Sequence, residues 1–136
     1  TFSTFTATND LEIIPDCYDS WSDYLTGVWY SIQGTGKNLI VDLCEASEIT
    51  LFSGDCNALA CEEWNAQYIE CSNGNEGIRA FWSSDRDVVY YIFVYHSEYE
   101  YEDPANFTLK MTDRERPEND NCVDAIPISM DSIQNL

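Results

Sequence analysis

Eight consecutive residues, Val88-Val-Tyr-Tyr-Ile-Phe-Val-Tyr95, are all apolar or aromatic, with no charge among them. β-Branched and aromatic side chains crowd a helix but sit well on a pleated surface, so this run predicts a strand. A strand that is apolar on both faces has to be covered twice. It is expected to be central, with an opposing sheet on one side and a neighbouring unit or a glycan on the other.

The rest of the chain supplies partners of the same kind. Helical periodicity is scarce, and most segments alternate or run apolar for a few residues between turn signals. Thr1 to Ala7 alternates Phe2 with small hydroxyl residues, and loop residues then lead to Cys17. Val28 to Ile32 predicts a strand with Val28, Tyr30 and Ile32 on one face and Trp29 and Ser31 on the other. Gln33-Gly-Thr-Gly-Lys37 turns it into Asn38–Cys44, which puts Leu39, Val41 and Leu43 together. Glu48 to Gly54 follows with Ile49 and Leu51 inward, then a tight Cys56–Cys61 loop and a strand across Glu62 to Cys71. Ile78 to Ser83 and Asn106 to Thr112 complete the set, the latter aligning Phe107, Leu109 and Met111; His96 to Asp103 reads as an acidic loop. About eight short strands with polar turns point to an all-β fold, a jelly-roll-like antiparallel β-sandwich.

Charge and cysteine usage narrow the class. A net charge of −19 excludes nucleic acid and an anionic membrane surface as partners. The six cysteines include no pair separated by two residues, and His96 stands apart from them, so disulfides in an oxidising compartment fit better than zinc. No run reaches the ~18 apolar residues of a membrane span. With no initiator Met and no leader, the chain is expected to be processed or excised from a longer secreted precursor.

The C-terminal stretch is the anomaly. Asp113 to Asp120 is charged and contains Pro117, as a linker does, yet Cys122, Val123, Ala125, Ile126 and Ile128 again have strand content. One small strand beyond a linker cannot bury itself and needs a sheet to join. The stretch Arg116 to Ile128 reads as the opening of a domain, whereas Thr1 to Cys17 begins as though something should precede it. The expected organisation is a sandwich body over 1–112, a linker over 113–120, and over 121–136 a C-terminal donated strand belonging to the next unit.

Several motifs, taken in chain order, resemble one family. They are Ala7 to Asp10, Pro15 to Cys17, Val28 to Tyr30, Leu43-Cys44, Ser53-Gly-Asp-Cys56 with Cys61, Phe107 to Leu109 and, last, Asn119 to Ile128. Together they resemble the tandem jelly-roll modules of secreted proteins that are similar to the bacterial pre-peptidase C-terminal domain. In those modules the Asn-Asp-Asn-Cys-x-x-Ala-x-Pro-Ile stretch comes first; here it stands last. The permutation makes sense if units run head to tail, each completing the next, so the expected partners are further copies of this chain. The resemblance implies that Cys122 bonds Cys17 of the following unit, with Cys44–Cys71 and Cys56–Cys61 inside one unit. An intrachain Cys17–Cys122 bond closing a single domain is the alternative. Asn119, Cys122, Ala125, Ile126, Pro127 and Ile128 become the assembly residues. Ser47-Glu-Ile49 and Glu62-Glu-Trp-Asn65 replace the Asp-rich loops of the family, so calcium is not expected, nor is any other cofactor or metal.

Other candidate sites are sparse. Asn106-Phe-Thr108 matches the N-glycosylation pattern, and Asn135 joins it only if Thr1 follows Leu136. Neither is matched by a catalytic signature. His96, Ser97 and Glu98 lack a nucleophile elbow, and Gly34-Thr-Gly36 fits neither nucleotide-binding fingerprint. Asp55-Cys-Asn57 starts like a calcium loop, but Leu59 ends the pattern. Glu98, Glu100 and Glu102 alternate with Tyr99 and Tyr101 and read as a solvated edge. Tyr18, Trp21 and Tyr24 suit either a sugar platform or packing at a unit junction. The expected function is that of a non-enzymatic structural repeat in a secreted filament or surface array, possessing at most an N-linked glycan. The competing reading is a monomeric carbohydrate- or matrix-binding module.

Overall fold

The computed structural model describes residues 2–3, 17, 25–44, 48–72, 74–97 and 106–129. Among them nine strands form two antiparallel sheets: β1 (Phe2–Ser3), β2 (Leu25–Gln33), β3 (Asn38–Cys44), β4 (Glu48–Asp55), β5 (Ala58–Cys61), β6 (Asn65–Glu70), β7 (Glu76–Ser83), β8 (Val89–Ser97) and β9 (Asn106–Arg114). One sheet has the order β1-β9-β3-β7-β6 and the other β2-β8-β4-β5. They pack face to face as the expected disulfide-stabilised sandwich.

The core is the set of side chains that period-two alternation turns inward. Leu39, Val41 and Leu43 of β3 meet Ile49 and Leu51 of β4 and Tyr90, Ile92 and Val94 of β8, with Ala80, Trp82 and Phe107 from the first sheet. Val28, Tyr30 and Ile32 close one side, and the Tyr30 and Phe107 rings meet edge to face with centroids 6.4 Å apart. That contact stacks β2 over β9.

β8 is central, bonded to β2 on one side and β4 on the other. Its outward residues are covered as well. Phe93 and the β4 residue Phe52 are fully buried in a second cluster, against which Trp29, Leu59, Tyr91, Tyr95 and Cys17 pack. The Trp29 and Phe93 ring centroids lie 4.6 Å apart. The second cover therefore comes partly from this chain's own Cys17, pinned to β5 by a disulfide to Cys61.

Four expectations change. The Cys56–Cys61 stretch is not a loop closed by its own disulfide but a hairpin, with Asp55 opposite Ala58 and Phe52 opposite Cys61. Gly54, at φ 100°, and an Asx turn in which Asn57 N–H donates to Asp55 Oδ1 at 2.9 Å shape it. Cys61 thus lies four residues of ladder away from Cys56, more than about 10 Å, while a disulfide requires Cα atoms within about 7 Å. Cys61 instead bonds Cys17, and that bond also removes Cys17 from the Cys122 pairing that was expected within or between units. Last, β8 extends through His96 and Ser97, because the β2 backbone at Leu25 and Thr26 continues the ladder past the apolar run. β9 likewise runs to Arg114, two residues into the segment expected as linker.

Candidate functional site

The described C-terminal segment starts from a built root. Lys37 pairs with Glu115 at 2.8 Å and with Asp113 at 3.7 Å. The hydrogen bond to Glu115, with both carboxylates close by, pushes the Lys37 ammonium above its ordinary pKa. Arg116 Nη2 donates to the Ser84 carbonyl at 2.7 Å, carrying the chain from the end of β9 across to the β7–β8 connection. Ser84 is itself fully buried: its hydroxyl donates to the Lys37 carbonyl at 2.8 Å and accepts from Thr35 N–H at 3.1 Å. A side chain on Gly34 would collide with the Asp85 carbonyl, so the close approach of the two connections requires glycine there. The sequence signal was present in Gln33-Gly-Thr-Gly-Lys37, but nothing local pointed to Arg116 as its partner.

Beyond the root the segment pairs with no strand among the described residues. A turn brings Asp120 N–H to the Pro117 carbonyl at 3.1 Å. A single 3-10 turn, Cys122–Asp124, follows an extended Asn121, and Ala125 closes it with its N–H on the Cys122 carbonyl. Every predicted assembly residue is exposed here: Asn119, Cys122, Ala125, Ile126, Pro127 and Ile128. Val123 is 89% exposed, Ile128 76% and Ile126 61%. Removing such side chains from water is worth roughly 1.5–3 kcal/mol each, so their exposure leaves a driving force for burial unused among the described residues.

The cysteines divide into two states. Cys44 bonds Cys71, the pairing the resemblance implied, and Gly77 leaves room for the Cys71 sulfur where a Cβ would clash. Cys56 and Cys122 are unbonded and exposed. Cys56 stands at the rim of a hollow of about 270 Å³ lined by Trp29, Tyr30, Ser31, Leu59 and Tyr91. Its hydrogen bond with the Tyr91 hydroxyl pushes the phenol above its ordinary pKa. A second, more polar hollow of about 490 Å³ is lined by Glu63, Trp64, Asn65, Trp82 and Ser83. The indole N–H of Trp82, a core residue, is buried without an acceptor among the described residues.

Asn106 opens β9, its backbone in register with Ser3. Asn135, Tyr18, Trp21, Tyr24 and the Glu98–Glu102 stretch lie outside the described residues, as does most of Thr1 to Cys17. Among the described residues no three His, Cys, Asp or Glu side chains gather as a metal site, and no helix is long and apolar enough to cross a membrane. Compared with family models, curated proteins and solved structures, the chain finds no match.

Proposed function

We propose that this chain is a structural repeat of a secreted filament or surface array, assembled head to tail through its C-terminal segment. The observation that carries this reading is the exposed run Val123, Ile126 and Ile128 on a segment whose root is held by Lys37, Arg116 and Ser84. A rigid root and an uncovered apolar end suit donation to another unit, where a ladder and an apolar face are both on offer. The geometry of the body agrees. Phe2 pairs with Phe107 at one end of β9, and the segment departs from Arg114 at the other, so units stacked end to end repeat the same heterologous contact. The receiving region is Thr1 to Cys17 of the next unit. Two disulfides are compatible with an extracellular location, where Asn106 becomes a glycosylation site.

Negative-stain microscopy of the full chain and of a chain ending at Arg114 tests this. The full chain is expected to form polymers, and the shortened one to stay single and bind an added peptide spanning 115–136. A full chain that remains monomeric at high concentration, with no peptide binding to the shortened body, would rule the reading out.

The hollow at Trp64 and Trp82 favours a second reading, a monomeric carbohydrate-binding module. An aromatic wall, a carboxylate and an amide are the groups a sugar uses. Calorimetric titration with soluble oligosaccharides decides it: binding abolished by Trp64→Ala supports this reading, and no heat with any of them ends it.

A further inference from the structure

Two unbonded cysteines in a chain that otherwise closes its thiols call for an explanation, and their places in the fold supply one. The register of β4 with β8 sets Ser53 opposite Tyr90, which brings the Cys56 turn level with Val88. Val88 closes the same connection, through its N–H to the Asp85 carbonyl, that Arg116 grips at Ser84. Cys56 and the root of the C-terminal segment therefore occupy the same end of the sandwich. Between them lie about one strand step and one intersheet gap, roughly 5 and 10 Å. Even with the Pro117–Asp120 turn kept, the six residues from Arg116 to Cys122 can span about 17 Å.

We propose that Cys56 and Cys122 of one chain form a third disulfide, which latches the C-terminal segment over the apolar hollow beside Cys56. Val123 directly follows Cys122, so the bond brings an uncovered aliphatic side chain to a recess walled by Trp29, Leu59 and Tyr91. The occupant is the chain's own 122–128 segment and not a second copy. The tether holds the two thiols at an effective concentration in the millimolar range, above that of any neighbouring chain in dilute solution. The bond forms by exchange with a low-molecular-weight disulfide. One thiolate attacks it and expels one small thiol; the second thiolate then attacks the mixed disulfide and expels the other. Two protons and two electrons leave the protein, and the small disulfide is reduced to two thiols. Reduction reverses the step and frees the segment. The latch does not rest on assembly: it forms whether or not units polymerise, although a latched segment is withheld from donation.

The test equilibrates the full chain with oxidised and reduced glutathione, isolates the monomer by gel filtration, and maps its disulfides without reduction. Chymotrypsin cuts after Leu59 and so separates Cys56 from Cys61. The expected result is a Cys56 peptide linked to a Cys122 peptide, with reactive thiols falling from two per chain to none. Thiols that stay free, that end as glutathione adducts, or that are linked only in dimers overturn the proposal. In the Cys56→Ser chain, Cys122 is expected to remain as a reactive thiol in the monomer. If it bonds Cys17 or Cys61 instead, the assignment of Cys56 as its partner fails. Polymer formation is scored separately with the Cys56→Ser chain, which cannot latch yet keeps the Cys17–Cys61 and Cys44–Cys71 bonds, so loss of the latch and loss of assembly are read independently.

Discussion

β8 and the segment from Cys122 to Ile128 are drawn from similar apolar residues but have opposite fates. Ile92, Phe93 and Val94 are at most 1% exposed, whereas Val123 is 89% exposed. β8 has a ladder on each edge and a cluster on each face. The C-terminal segment has neither among the described residues, and its backbone bonds are spent on two short turns. Apolar composition makes a segment ready to be a strand; a partner edge makes it one. The same difference separates what can destabilise the isolated unit from what can only change its associations.

The largest effect is expected where β8 is covered twice. Phe93→Ala deletes a fully buried ring from the outward cluster and should cost about 3–5 kcal/mol in urea unfolding. A loss under about 1 kcal/mol would mean that this face is a loose cover and not a second core. Next come the disulfides. Replacing Cys44 and Cys71 together by Ala opens a loop of sequence separation 27 and should cost about 2–4 kcal/mol. The same change at Cys17 and Cys61 should also expose Phe93 and Phe52, seen as a rise in dye binding that the Cys44–Cys71 pair does not give.

These expectations track what could be read from the residues. Asn38–Cys44 was legible in both bounds and facing, since Leu39, Val41 and Leu43 alternate without interruption. The apolar run of β8 announced its double cover, though not that Cys17 would supply part of it. The Cys56–Cys61 hairpin was read as a tight loop whose bond the resemblance implied, whereas the ladder sets Cys61 against Phe52. His96 and Ser97 look like loop by composition, yet pairing with the β2 backbone decides the matter. The root of the C-terminal segment was invisible for a related reason: Arg116 and Ser84 are brought together by the fold, across a separation no local pattern spans. Ile126 and Ile128 were legible as apolar, but that they would stand uncovered on the unit was not, because burial depends on what the fold brings beside them.

Acid provides a smaller test, on the body alone. Asp42 and Arg79 are cross-strand partners joined by two hydrogen bonds of 2.6 and 2.8 Å. Those bonds hold the Asp42 carboxyl below its ordinary range. A depressed folded-state pKa means that the pair's contribution is fully present above about pH 4 and is lost as pH falls through the lowered value. The pair is partly exposed, so Asp42→Asn should cost no more than about 1 kcal/mol at neutral pH. In this variant the acid limb of the stability curve should be shallower. An unchanged limb would show that the pair does not govern the acid response.

The smallest effect on the unit, and the sharpest form of the comparison, belongs to the segment itself. Val123, Ile126 and Ile128 are exposed, so replacing all three by Ser in a single Cys56→Ser chain, which cannot latch, should shift its unfolding free energy by no more than about 0.5 kcal/mol. On the proposed assembly, the same triple variant should abolish polymers, because an acceptor would no longer find these side chains to bury. β8 cannot be altered in this way: any comparable change there lowers stability and association together. A triple variant that unfolds more easily would show that the segment packs on its own body. One that is equally stable and still polymerises would move the contact away from these side chains, to the backbone ladder or to another surface.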